Sequence, residues 1–76
     1  MLCVYKNEGA IIATWNGIVV HSVSLSGYRT ASIRQYSDIS WTVNMRQSDS
    51  SCFQWSVHVD STGNVVINEI DSSLSN

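Results

Sequence analysis

The residues from Ile39 to Val59 constrain the fold of this chain most strongly, because apolar and polar side chains alternate through two runs joined by a polar turn. A period of two is typical of a strand that is buried on one face. The turn, residues 47–51, is rich in serine, so the runs are predicted to pair as an antiparallel hairpin centred on Asp49. A slip of one residue would turn one strand's apolar set outward, so the pattern also predicts the register. The predicted pairs are Ile39 with Val59, Trp41 with Val57, Val43 with Trp55 and Met45 with Phe53.

Glycines mark three further hairpin turns. Asn16-Gly17 lies between two apolar runs and is typical of a two-residue turn, which sets Trp15 opposite Ile18. Residues 7–9 and 61–63 each end in glycine and are predicted to form three-residue loops with that glycine in the left-handed region. The resulting pairs are Lys6 with Ala10, Tyr5 with Ile11 and Cys3 with Ala13 around the first loop, and Val59 with Val65 and Val57 with Ile67 around the second.

The segment from Tyr28 to Tyr36 has a weaker pattern and leaves two interpretations. It is a strand whose Ala31 and Ile33 face the core, or a short helix that begins at a Thr30 cap. We favour the strand, because the neighbouring segments are strands and the sequence has few strong helix formers.

Together these segments predict a single all-β domain over residues 1–70, a small antiparallel meander of about six to seven short strands. The short connections are compatible with a barrel-like sheet or with a two-layer sandwich. Residues 71–76 are rich in serine and are predicted to form a flexible C-terminal tail.

The N-terminal hairpin is apolar on both of its predicted faces, unlike the hairpin at residues 39–59. The face assigned to the core holds Tyr5, Ile11, Ala13, Trp15, Ile18 and Val20. The opposite face holds Val4, Ala10, Ile12, Thr14, Val19, His21 and Val23. A chain of 76 residues has little left to cover this second face, which therefore predicts a contact surface. We assign to the interface Ile12, Val19, His21 and Val23.

The low share of charged residues, 13% of the chain, favours self-association. Lys6 is the only lysine available to protect a strand edge. The net charge of −2 argues against a surface that follows nucleic-acid phosphates. No apolar run approaches the roughly 20 residues of a membrane span. Residues 6–8 interrupt the N-terminus before a signal peptide's apolar region would be complete, so a cytoplasmic protein is expected.

Metal and cofactor sites are not indicated. The potential ligands lack the close spacing of a structural zinc site, so neither a metal nor another cofactor is expected. These ligands are Cys3, Cys52, His21 and His58. In a cytoplasmic protein both cysteines are expected to be reduced thiols in or near strands, with a disulfide between the first and sixth strands as the alternative.

Catalysis is also not indicated. Ser56, His58 and Asp60 share a predicted strand face, but no Gly-rich elbow or oxyanion site accompanies them. The expected function is therefore that of a small non-enzymatic protein-binding module, a homo-oligomer and possible inhibitor of a larger macromolecule. Its charge-poor, Pro-free composition has the general character of short phage or mobile-element proteins.

The alternative function is a small nuclease or a single-stranded nucleic-acid-binding domain. It would use His21 and His58 as acid and base, and three arginines near aromatic side chains as a stacking platform. The arginines are Arg29, Arg34 and Arg46. The acidic net charge makes nucleic acid the less favoured partner.

Overall fold

The computed structural model describes residues 1–48 and 51–73, with side chains through residue 70, and its regular structure is all β-strand. The seven strands are β1 (Leu2–Asn7), β2 (Ala10–Trp15), β3 (Ile18–Ser24), β4 (Thr30–Ser37), β5 (Ser40–Ser48), β6 (Ser51–Val59) and β7 (Val65–Ser73). The all-β prediction is confirmed. The segment whose interpretation was open is a strand, β4, rather than a helix.

The strands form two antiparallel sheets. The three-strand sheet has the order β1-β2-β3, and the four-strand sheet has the order β4-β5-β6-β7. Because β3 and β4 do not pair, the described strands form two layers and not a closed barrel. One buried cluster joins both layers: Leu2, Val4, Ile11 and Ala13 from the first, and Val43, Met45, Trp55, Val57 and Val59 from the second.

The hairpin of β5 and β6 has the predicted register. Its paired residues include Trp41 with Val57, Val43 with Trp55 and Met45 with Phe53. The Val59 amide donates to the Ile39 carbonyl at 3.0 Å, as the same register requires. Trp55 has no solvent-exposed surface, which agrees with its assignment to the core. Asp49, the predicted centre of the turn, lies outside the described residues.

The loop after β6 is also as predicted. Val59 pairs with Val65, and the Asp60 amide donates to the Asn64 carbonyl at 2.9 Å, which leaves three residues in the loop. Gly63 has φ = 88°, the left-handed conformation expected of it. The Asp60 carboxylate secures this loop, because its Oδ1 accepts from the Thr62 hydroxyl at 2.7 Å and from the Asn64 amide at 2.9 Å.

The predicted register of β1 against β2 is wrong by one residue. Asn7 pairs with Ala10, so the turn contains only Glu8 and Gly9. Their φ values of 49° and 81° are both positive, as in a type I′ turn. A non-glycine residue seldom takes a positive φ, which is why the sequence favoured a longer loop with glycine alone in that conformation.

The corrected register exchanges the two faces of β1. Leu2 and Val4 face the core and are 1% and 5% exposed, whereas Tyr5 faces outward and is 42% exposed. Val4 was predicted on the outer face and Tyr5 in the core. Both faces of β1 are apolar, so alternation alone did not distinguish the two registers.

A β-bulge in β3 changes which residues lie on the face of the N-terminal hairpin that was predicted to point away from the core. The Asn16-Gly17 turn is confirmed, and Trp15 pairs with Ile18. The register then shifts, so that Ala13 pairs with His21 where Val20 was predicted. A bulge inserts one unpaired residue and thereby reverses the side-chain alternation that follows it.

The strand β7 extends beyond the predicted end of the domain at residue 70. It continues to Ser73, which pairs with Ser51 of β6. Backbone hydrogen bonds of a sheet do not require apolar side chains, so composition does not reveal such an extension. The rest of the predicted tail, residues 74–76, lies outside the described residues.

Candidate functional site

The outer face of the three-strand sheet carries no formal charge. This surface, called the three-strand face, is formed by Cys3, Tyr5, Asn7, Ala10, Ile12, Thr14, Val19, Ser22 and Ser24. Val19 is 57% exposed at its corner, next to Ile18, which is 69% exposed. Ile12 lies at the centre between Tyr5 and Ser22 and is half-buried. The face is therefore apolar with uncharged polar positions, which is typical of a contact surface.

Two residues predicted on this face point inward. The bulge at Val20 turns His21 and Val23 toward the core, where Val23 packs against the buried cluster. The His21 ring meets the Trp55 ring edge to face, with centroids 4.8 Å apart and planes at 73°. Of the four predicted interface residues, only Ile12 and Val19 lie on the three-strand face. The sequence showed no signal for the bulge.

The outer face of the four-strand sheet is polar. This four-strand face is formed by Thr30, Ser32, Arg34, Ser37, Ser40, Thr42, Asn44, Arg46, Cys52, Gln54, Ser56, His58, Val66, Asn68 and Ile70. Tyr36, unpaired at a bulge in β4, adjoins it through its contact with Arg34. None of these residues is acidic. The structure thus brings Arg34, Arg46 and His58 to one surface, as the alternative function requires.

Local contacts shape the four-strand face. The Arg34 guanidinium carbon lies 5.9 Å from the centroid of the Tyr36 ring, within the range of a cation–π contact. A depression of ≈ 210 Å³ lies beside Arg46 and is bordered by Thr30, Ser32 and Asn44. Hydroxyl and amide groups therefore lie beside the Arg46 side chain, and an aromatic ring lies beside that of Arg34.

The predicted residues Arg29 and His21 are not part of the four-strand face. Arg29 precedes β4, and its backbone amide donates to the Arg46 carbonyl at 2.8 Å. His21 lies between the sheets against Trp55, whereas His58 projects from the outer face of β6. The two histidines therefore do not converge on one cleft, and they cannot flank one phosphate as an acid and base pair.

The Asp60 carboxylate serves the turn after β6. The hydrogen bond from the Thr62 side chain, followed by those from the Asn64 and Thr62 amides, lowers the pKa of Asp60, and His58 lowers it further by charge. The Oδ1 atom of Asp60 accepts hydrogen bonds from Thr62 and Asn64 in the loop. This structural role accounts for the presence of Asp60 without a catalytic role beside His58.

Metal-ligating residues are scattered in the described ranges. Among the side chains that the structure describes, those of residues 1–48 and 51–70, no group of three or more His, Cys, Asp or Glu could hold a metal ion. No disulfide joins Cys3 to Cys52, because they lie on the outer faces of different sheets.

A cleft of ≈ 590 Å³ opens at one end of the sandwich, between the Trp15 end of β2 and the turn from β4 to β5. Its residues come from the ends of both sheets, and the sequence pattern gave no signal that they would meet.

Comparison of the chain with protein-family models, with curated proteins and with solved structures found no match. Within the part of the chain that the structure describes, no helix has the length and apolar character needed to cross a membrane. The functional interpretation therefore rests on the surfaces themselves.

Proposed function

We propose that this protein is a non-enzymatic protein-binding module that assembles with a second copy of itself through the three-strand face. The observation that carries the proposal is an uncharged face on which Val19 remains 57% exposed. Apolar groups that stay in water on one subunit favour association, because each square ångström buried contributes roughly 25 cal/mol.

The absence of charge on this face supports a second copy as the partner. A different protein is usually selected by complementary charges, whereas a two-fold interface places the same surface on itself. Like charges would repel in that arrangement, and the three-strand face has none among its residues.

Face-to-face packing is favoured over strand addition at the edge of β3. The bulge at Val20 interrupts the regular backbone of this edge strand. Bulges at edges hinder pairing with another strand, so at the β3 edge the side chains of the face and not the backbone would supply the contact. The proposed dimer stacks two three-strand sheets.

Light scattering tests the assembly. The chain has a mass of 8.4 kDa, so light scattering should give a particle mass of twice that value for the folded wild-type protein. The Val19→Glu substitution places like charges across the two-fold axis, which should cost about 2 kcal/mol or more and weaken the dimer roughly 30-fold. Circular dichroism should remain that of the wild type, since Val19 is exposed.

The matched control is Ile70→Glu. Ile70 is 56% exposed, almost the same as Val19, but it lies on the four-strand face. This variant should remain a dimer. A monomeric wild type, or equal dissociation by both substitutions, would refute the proposed interface. The inhibitor role stays a prediction. A wild-type protein that is monomeric and binds a different protein would support that role and not self-association.

A second candidate function is supported by the four-strand face. We propose that it binds single-stranded nucleic acid, because Arg34, Arg46 and His58 share the four-strand face, where the one neighbouring carboxylate described is that of Asp60, held by its own loop beyond His58. The exposed Tyr36 ring offers a stacking platform beside Arg34. The net charge of −2 opposes this binding at long range, so we rank it below self-association.

Fluorescence anisotropy with a labelled single-stranded RNA at low salt tests this candidate. The Arg34→Ser and Arg46→Ser variants should each weaken binding and lower the salt slope by about 1 if each side chain contacts one phosphate. Arg29→Ser is the control, because Arg29 lies outside the four-strand face. No binding by the wild type, or equal loss with Arg29→Ser, would eliminate this function.

A further inference from the structure

The cleft at the end of the sandwich combines apolar walls with a polar rim. Trp15 comes from the three-strand sheet and Trp41 from the four-strand sheet, so each layer contributes one indole. Ile39, which is 47% exposed, adds further apolar surface to the cleft. The volume of ≈ 590 Å³ lies within the usual range of ligand pockets.

The rim supplies hydrogen-bonding groups. Gln35 and Asp38 line the cleft, and the Gln35 Nε2 donates to the Ser37 carbonyl at 3.2 Å, which fixes the amide at the turn. No hydrogen bond or ion pair within the described ranges occupies the Asp38 carboxylate. Its two oxygen atoms therefore remain available as acceptors.

The charges at the cleft favour a neutral ligand. No lysine or arginine lines it, and the Met1 ammonium group is already engaged by Asn16, so an anionic ligand meets no unpaired cation there. The Met1 ammonium group, which donates to Asn16 Oδ1, and the Asp38 carboxylate are opposite in sign. A wholly apolar ligand is also disfavoured, because it would take water from Asp38 and Gln35 without replacing the hydrogen bonds.

We propose that this cleft binds a neutral sugar ring. The apolar C–H face of such a ring packs on an indole, and its hydroxyl groups donate to the Asp38 carboxylate and exchange hydrogen bonds with the Gln35 amide. A single ring makes few contacts, so the expected dissociation constant is about 1 mM or weaker. The cleft shares Cys3 with the three-strand face, but the groups assigned to the sugar, the two indoles, Asp38 and Gln35, lie outside that face, so the proposal does not depend on the dimer.

The indole N–H signals in a proton–nitrogen NMR spectrum provide the test. D-glucose, D-galactose, D-mannose and N-acetyl-D-glucosamine are titrated separately to concentrations well above the expected dissociation constant. At least one sugar should shift the Trp15 and Trp41 signals in a saturable manner. The Trp55 signal is the internal control, because that side chain is fully buried and does not line the cleft.

Two substitutions locate the polar contacts. Asp38→Asn removes the charge with little change of shape and should weaken sugar binding roughly tenfold or more, as expected for the loss of hydrogen bonds to a charged group. Gln35→Ala provides an independent second variant should Asp38→Asn alter the turn. Glu69→Gln is the matched control, since Glu69 is an exposed carboxylate on β7 away from the cleft.

Three results would overturn the proposal. The first is no saturable shift of Trp15 and Trp41 with any of the four sugars. The second is a larger shift with choline chloride that weakens as salt rises, which would assign the two indoles to a cation. The third is unchanged sugar binding in both Asp38→Asn and Gln35→Ala.

Discussion

The register of β1 can be tested by placing the same residue at two neighbouring positions. Val4 is 5% exposed and belongs to the buried cluster, whereas Tyr5 is 42% exposed on the three-strand face. Val4→Thr keeps the volume but buries a hydroxyl, which should cost about 1–3 kcal/mol. Tyr5→Thr keeps the strand propensity and removes an outer side chain, so its cost should stay below about 1 kcal/mol.

Thermal unfolding followed by circular dichroism measures both effects at one protein concentration, because association would itself raise the melting temperature. For a loss of about 2 kcal/mol in Val4→Thr, the melting temperature should fall by roughly 8–16 °C. The register read from the sequence reverses this order. It places Tyr5 in the core, where truncation would cost about 3–5 kcal/mol, and leaves Val4→Thr nearly neutral. That reversed order would refute the observed register.

Three further substitutions test the turns and the core. Because folding lowers the pKa of Asp60 from its ordinary value of 3.8, the ionised carboxylate stabilises the fold above pH 3.8, and this stabilisation is lost as the pH falls through the folded-state pKa. Asp60→Asn should remove this contribution to the acid dependence of the unfolding free energy, measured by urea titrations at several pH values. Gly17→Ala should cost about 1–2 kcal/mol in urea unfolding, because φ is 84° and no neighbouring atom lies within 4 Å of the added methyl group. His21→Phe should leave stability unchanged or raise it by about 1 kcal/mol in the same assay, since the buried Nε2 of His21 has no hydrogen-bond partner among the described residues; a marked loss would indicate a partner for that nitrogen.

Strong local patterns made some elements predictable. The β5 and β6 hairpin alternates strictly, so that any other register would expose its tryptophans, and the observed pairs agree with the prediction. Asn16-Gly17 and Gly63 take the positive φ values that their turns demand. The polar face of the four-strand sheet, with Arg34, Arg46 and His58, follows from the same alternation.

Which side chains form the candidate surfaces could be read only from the tertiary structure. β1 is apolar on both faces, so a shift of one residue at Glu8-Gly9 changed which side chains are buried without violating any pattern. The bulge at Val20 moved His21 and Val23 inward for a similar reason, since β3 also offers apolar residues on both sides.

What the sequence alone determined is therefore the class of fold and the pairing of strands that are apolar on one face only, because there the free energy of burial selects one register. The separation into two sheets, the inner positions of Val4 and His21, and the meeting of Trp15 with Trp41 at one cleft were decided by the tertiary structure. These features depend on how two layers pack against each other, and no local alternation of side chains carries that information.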